Sequence, residues 1–270
     1  MFWKAENGCI GVDGTDMDYV SFGKGKDVLV MLPGLGDGLR TVKGMAAAMA
    51  VTYRMYAKDY RVYIFSRKNH LKQEDSTRDM AEDCAEVMEK LGIEKASVLG
   101  ISQGGMIAQY LAIDFPALVD KLVLAVTLSR QNKMVQEVVG KWIRFAKQGN
   151  YKALMIDTAE KSYSENYLKK YRRFYPLLGR IGKPEDFKRF IIQAVSCMEH
   201  DAYGELENIR CPVLIIGGDS DRIIGKEASV EMDDRIENSR LYVYKGLGHG
   251  LYEEAKDFNR RVMDFLSEER

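Results

Sequence analysis

The sequence predicts an α/β fold: a mostly parallel sheet with helices on both faces, divided by a helical insertion. Three observations predict it. Short apolar, β-rich runs alternate with helical stretches through residues 1–129, the pattern of strands joined by crossover helices. Residues 130–205 show no buried strand and read as successive helices. Strand character then returns at residues 211–217 and 241–244. Residues 1–129 and 206–270 are therefore expected to form one core, with 130–205 as a helical cap inserted between two of its strands.

At 270 residues the chain is long enough for one large α/β domain carrying an insertion. Hydrophobic residues make up 46% of it, ordinary for a globular protein. Lys plus Arg balance Asp plus Glu at 40 each, so no global charge points to nucleic acid or an anionic membrane. No apolar run approaches the roughly 18 residues of a membrane span, and Met1 to Asn7 lack the apolar region of a secretory signal. Cys9, Cys84, Cys197 and Cys211 are scattered, with no Cys-x-x-Cys pair and no histidine at metal-ligand spacing. We expect reduced thiols in a cytoplasmic protein, without disulfides, metal or cofactor.

Residues 8–32 read as strand-rich. The run Val28, Leu29, Val30, Met31, Leu32 is fully apolar and suits a central parallel strand. It ends in Pro33-Gly34-Leu35-Gly36-Asp37-Gly38. This loop lacks the phosphate-binding Gly-x-x-x-x-Gly-Lys-Ser/Thr pattern, and reads instead as one side of an oxyanion hole. Residues 42–58 suggest a helix, 61–65 a strand, and 66–75 a polar loop holding His70. In residues 77–91, Met80, Cys84, Val87, Met88 and Leu91 fall at helical spacing, and Gly92 stops the run. Residues 97–101 and 121–128 are buried-strand candidates around a helix ending at Asp114-Phe115-Pro116. Helices are expected at 134–148, 151–162, 165–175 and 185–198, then a strand at 211–217, a helix at 226–235, a strand at 241–244 and a last helix burying Phe258, Val262, Phe265 and Leu266.

The insertion is basic, with 15 Lys and Arg against nine Asp and Glu. Its cluster Lys169-Lys170-Tyr171-Arg172-Arg173-Phe174-Tyr175 is expected to be a solvated helix face with aromatics turned inward. One local cluster in a neutral chain is a weak nucleic-acid footprint. The positive balance favours an anionic small-molecule substrate.

The chemistry converges on Gly100-Ile101-Ser102-Gln103-Gly104. Gly-x-Ser-x-Gly alone is weak. Here a short apolar strand precedes it and an uninterrupted helix follows it, the setting of a nucleophile elbow. A serine projecting from a strained turn leaves no room for flanking side chains, which Gly100 and Gly104 remove. The helix start supplies free backbone N–H groups near the reacting oxygen. A serine hydroxyl needs a base, and the histidines are His70, His200 and His249. His249 lies in a glycine-rich loop leaving the last strand, so it is preferred. His200 is expected to tie the insertion down. The acid that orients the base follows residues 211–217. Asp221 is preferred there and Asp219 is the alternative; residues 127–129 after the earlier strand offer no acid.

With Ser102, Asp221 and His249 in this order, the sequence resembles the α/β-hydrolase fold superfamily over nearly its whole length. Gly-Ile-Ser-Gln-Gly-Gly-Met at 100–106, Ile-Ile-Gly-Gly-Asp-Ser-Asp at 215–221 and Gly-Leu-Gly-His-Gly at 246–250 carry the resemblance. It looks like the capped serine-hydrolase branch of esterases, enol-lactonases and carbon–carbon bond hydrolases. The resemblance implies an eight-stranded sheet and backbone oxyanion donors at Leu35 and Gln103. Two positions depart from many relatives: Pro33-Gly34 replaces His-Gly, and Ser66-Arg67-Lys68-Asn69 replaces Asp-x-Arg-Gly. The expected activity is hydrolysis of a small ester, lactone or related carbonyl. A slow-turnover ligand receptor and an acyltransferase or perhydrolase are the alternatives. Trp142, Phe145, Met155 and Tyr163 are candidates to line the substrate site, or else to pack the cap's own core.

Overall fold

The computed structural model describes residues 3–177 and 182–268. Eight strands form one sheet: β1 Glu6–Val12, β2 Thr15–Gly23, β3 Asp27–Leu32, β4 Tyr60–Lys68, β5 Ala96–Ile101, β6 Val119–Ala125, β7 Val213–Gly218 and β8 Ser239–Tyr244. Their order is β1-β2-β4-β3-β5-β6-β7-β8. β2 runs antiparallel to both neighbours, and every pairing from β4 to β8 is parallel. The central strands β5 and β7 are buried at every position, which is why they read as unbroken apolar runs rather than alternating ones.

Helices cover both faces. α1 Ala46–Thr52 lies on one, α2 Thr77–Lys90 and α3 Gln103–Asp114 on the other. A capping box starts α2: the Ser76 side chain accepts the Asp79 N–H, and the Asp79 carboxylate accepts the Ser76 N–H. Met80, Cys84, Val87 and Met88 form its buried stripe. α3 is buried on nearly all sides, so it lacks the amphipathic signature of a surface helix.

Between β6 and β7 the chain makes α4 Lys133–Lys147, α5 Tyr151–Ser162, α6 Glu165–Tyr171 and α7 Lys188–Glu199. The two ends of this excursion meet. Arg130 and Asp201 form an isolated antiparallel bridge, the Ala202 N–H donates to the Ser129 carbonyl at 2.7 Å, and the Gln131 N–H donates to the His200 carbonyl at 3.2 Å. α8 Glu227–Asp233, α9 Leu251–Glu254 and α10 Phe258–Ser267 complete the chain. Phe258, Val262, Phe265 and Leu266 of α10 pack with α1 on the same sheet face.

Several local expectations change. Tyr171 and Phe174, expected to turn inward, are 45% and 44% exposed. The helix expected at 42–58 shrinks to α1 plus a 3₁₀ turn at Tyr56–Lys58. Gly44 takes φ +77°, outside the helical region, so the helix cannot run through it from residue 42. Residues 66–68, expected in a polar loop, continue β4, and Lys68 pairs with Met17 of β2. Their polarity concealed a buried strand end. β6 stops at Ala125 because Val126 turns to φ +45°, a conformation a β-branched residue rarely takes.

Candidate active site

The elbow occupies the carboxyl edge of the sheet, where parallel α/β sheets bind ligands. Ser102 follows β5 directly and begins α3. Its backbone sits at φ +55°, ψ −120°, a strained setting for a non-glycine residue that clusters at functional sites. The Ser102 N–H donates to the Ala125 carbonyl at 2.9 Å, and the Ser102 carbonyl accepts the Thr127 hydroxyl at 2.7 Å. The turn is therefore fastened on both sides of the serine, to the end of β6 and to the residues just after it. A Cβ on Gly104 would lie 1.9 Å from the Leu32 carbonyl oxygen, and one on Gly100 would lie 2.5 Å from the Gly104 carbonyl oxygen. Only hydrogen fits at either position.

Ser102, His249 and Asp221 come together. The Ser102 Oγ is 2.9 Å from His249 Nε2, and His249 Nδ1 is 2.8 Å from Asp221 Oδ2. Asp221 follows β7 and His249 follows β8, neighbouring parallel strands whose carboxyl ends open on the same edge. The second oxygen, Oδ1, accepts the N–H groups of Ile223 at 2.8 Å and Ile224 at 3.1 Å. Asp221 and His249 are 5% and 7% exposed, so water competes little for these bonds. Asp219 is placed otherwise: its Oδ1 accepts the Gly246 N–H at 2.7 Å and braces the turn. His70 is exposed and pairs with the Thr15 hydroxyl at 3.1 Å. His200 is buried, 2.9 Å from the Thr77 hydroxyl, and burial pushes its pKa down to about 3. It joins the end of α7 to the start of α2.

The Gln103 N–H follows the serine in the chain, and the Leu35 N–H belongs to the loop after β3. Each direction is set by the carbonyl of its own trans peptide unit. The Gly34 carbonyl accepts the Asp37 N–H at 3.1 Å, which turns the Leu35 N–H the opposite way. The Ser102 carbonyl is held by Thr127 and by the Gly105 N–H at 2.8 Å, which does the same for the Gln103 N–H. A Cβ on Gly34 would lie 3.2 Å from the Ser102 Cβ, so the loop after β3 rests against Ser102.

Beneath that loop lies a buried polar cluster that the sequence did not reveal. Arg67, 1% exposed, donates from Nη2 to the Pro33 carbonyl and to Gln103 Oε1 at 3.3 Å. Asp37 accepts the Arg67 backbone N–H at 3.0 Å, the Arg189 guanidinium, and Gln193 Nε2 at 3.3 Å. Gln103 Nε2 donates to the Gln193 carbonyl at 2.8 Å. Arg189 and Gln193 belong to α7, more than eighty residues from the elbow. No local pattern announces such a partnership, and Arg67 sat in a stretch that read as solvent-facing.

The insertion also grips the histidine loop. The Gly250 N–H donates to the Ser162 carbonyl at 2.7 Å, and the Tyr163 hydroxyl donates to Glu253 at 2.7 Å. Trp142 is buried and its indole N–H donates to Asp157 at 2.8 Å. It shares an apolar cluster with Met106, Leu128, Ile223 and Ile224 of the sheet edge, against which Phe145 and Met155 pack. Part of the insertion's positive charge is paired: Lys141 and Lys161 on Asp157, Arg172 on Glu160 and Glu165, Arg189 on Asp37. No described helix is long and apolar enough to cross a membrane. Among the described residues, no group of three or more His, Cys, Asp or Glu is arranged to hold a metal.

A strained serine at the tip of a parallel strand, with a carboxylate and a histidine from the strands two and three places along the same edge, is the arrangement of the nucleophile-elbow class of proteins. The family model of the α/β hydrolase fold matches residues 27–256. The chain belongs to that family and is an enzyme of it. It is 26% identical to the serine hydrolase BPHL of Mus musculus, over 95% of this chain and 85% of that protein. It is 27% identical to 2-hydroxy-6-oxononadienedioate/2-hydroxy-6-oxononatrienedioate hydrolase 2 of Pseudomonas putida, over 93% and 91%. The enol-lactonase of Burkholderia xenovorans superposes with a TM-score of 0.81 at 20% identity, covering 97% of this chain and all of that one.

Proposed function

We propose that this enzyme is a serine hydrolase acting on a small ester, lactone or related carbonyl through an acyl-enzyme. The observation that carries the reading is the unbroken chain of Ser102 Oγ, His249 and Asp221, at 2.9 and 2.8 Å. His249 Nε2 takes the serine proton as Oγ bonds to the carbonyl carbon. The carbonyl oxygen becomes an oxyanion facing the N–H groups of Leu35 and Gln103. Collapse expels the leaving group, which collects the proton from His249. Water then repeats the sequence and frees the acid. Asp221, fixed by the Ile223 and Ile224 N–H groups, holds the histidine with its proton on Nδ1 and offsets the imidazolium charge.

Residues 130–205 serve in this reading as the cap, hinged where residues 129–131 meet 200–202. Trp142, Phe145 and Met155 contribute to the apolar roof, and Tyr163 borders the histidine loop. That roof favours an acyl group of predominantly apolar character. The carbon–carbon and lactone hydrolases among the relatives keep non-ester carbonyls within the range to be screened.

The test is a fluorophosphonate probe on wild type and Ser102→Ala, followed by p-nitrophenyl esters from acetate to octanoate and a panel of lactones. Labelling of wild type alone with repeated turnover is the expected result. Labelling that persists in Ser102→Ala, or full activity in that variant, refutes the assignment.

A further inference from the structure

We propose that Arg67 is the positioning residue of the oxyanion hole: a single buried guanidinium fixes both segments that carry the two backbone donors. The inference rests on the hydrolase reading above. It starts from a physical oddity. Arg67 is 1% exposed at the end of β4, and burying a cation is expensive unless something specific depends on it. An apolar side chain of similar length would fill the space more cheaply.

What depends on Arg67 is visible in its partners. Its Nη2 holds the Pro33 carbonyl, one peptide before the unit bearing the Leu35 N–H. The same nitrogen holds Gln103 Oε1 at 3.3 Å, the side chain of the residue bearing the second donor. The loop after β3 and the start of α3 are distant in sequence; Arg67 bonds to both directly, and Gln193 of α7 bridges them through Asp37 and the Gln103 side chain. A planar fork keeps the angle between two acceptors, which a flexible ammonium does not.

The surroundings hold Arg67 in turn. Asp37, whose N–H orients the Gly34–Leu35 peptide, accepts the Arg67 backbone N–H at 3.0 Å and the Arg189 guanidinium. Arg189 also donates to the Arg67 carbonyl at 2.8 Å and the Lys68 carbonyl at 3.2 Å. The Asp37 carboxylate pairs with the Arg189 guanidinium, while the Arg67 guanidinium bonds to the neutral Pro33 carbonyl and Gln103 Oε1, so the cluster behind the donors carries a positive charge. That charge is of the sign that favours an oxyanion. Donors work only within about 2.7–3.1 Å of the oxyanion position, and a misplacement of about 1 Å costs on the order of a hundredfold.

The test compares wild type, Arg67→Met, Arg67→Lys and Gln103→Met in three readouts: ester kcat and KM, the rate of fluorophosphonate labelling, and the melting temperature. We expect Arg67→Met to lower kcat roughly 10- to 100-fold with KM within about threefold, the split produced by losing an interaction made in the transition state. Labelling should slow in parallel, and Arg67→Lys should retain more activity than Arg67→Met. Should Arg67→Met not fold, Gln103→Met decides. It cuts the link to the elbow but keeps the backbone amide, and should lower kcat about tenfold. Wild-type kcat in the folded Arg67→Met protein, or in Gln103→Met where Arg67→Met does not fold, overturns the inference. So does a loss confined to KM, or one that merely tracks the melting temperature. A wild-type protein that neither labels nor turns over overturns the hydrolase reading and the inference with it. A fully active wild type with equally active variants overturns the inference alone.

Discussion

In the mechanism we propose, Asp221→Asn separates orientation of the base from every other contribution to catalysis. In the native site Oδ1 accepts two backbone N–H groups, from Ile223 at 2.8 Å and Ile224 at 3.1 Å, while Oδ2 faces His249 Nδ1 at 2.8 Å. An asparagine has two ways to sit there. With its oxygen toward Ile223 and Ile224, its NH2 faces Nδ1, so the ring must carry its proton on Nε2. That proton then points at Ser102 Oγ, and the ring cannot act as base. With the amide flipped, the NH2 meets two N–H donors in a site 5% exposed. Two buried donors then lose their acceptor, at about 1–3 kcal/mol each. The flip is the costlier choice, so the unproductive tautomer prevails. We expect kcat to fall by roughly 10³–10⁴, about 4–5.5 kcal/mol of barrier, with near-UV circular dichroism unchanged. Initial rates on a p-nitrophenyl ester measure it. Asp219→Asn, which alters the bonds from the Gly246 N–H and the Ser220 hydroxyl, should stay near wild type. A loss below tenfold in a folded Asp221→Asn protein refutes the orienting role.

Gly104→Ala should destabilise the fold by at least about 3 kcal/mol or prevent soluble expression, because its Cβ meets backbone at 1.9 Å. Gly36→Ala, with nothing within 4 Å of its Cβ, should melt near wild type; equal melting temperatures for the two variants contradict this. His200 titrates at about 3 in the folded chain against 6.5 when free of burial. On acidification the unfolded chain takes the proton first, so this contribution is complete above pH 6.5 and is lost as pH falls toward 3. The slope reaches about 1.4 kcal/mol per pH unit. Urea midpoints at pH 7, 5.5 and 4.5 should fall less steeply in His200→Gln, and parallel slopes rule the idea out. Trp142→Phe removes a bond from a buried indole to the Asp157 carboxylate and should cost about 1.5–3 kcal/mol. An unchanged melting temperature counts against that bond.

The alternation of apolar runs with helices was enough to predict an interrupted parallel sheet, because strands buried on both faces such as β5 and β7 leave no other pattern. The elbow was legible for a local reason: Gly100, Ser102 and Gly104 meet their steric demands within one turn. The stretch around Asp221 and the loop around His249 were legible as strand-end loops of one sheet. The distances joining them to Ser102 were not, since they depend on β5, β6, β7 and β8 lying in register. Burial of charge was the least legible feature. Arg67 and Lys68 read as solvated because a guanidinium or ammonium ordinarily is, and only the approach of Pro33, Gln103 and α7 gives Arg67 a buried place. Local sterics and periodicity act over a few residues and are written in the sequence. Partners more than eighty residues apart, such as Gln103 with Gln193 and Asp37 with Arg189, are decided by tertiary packing alone.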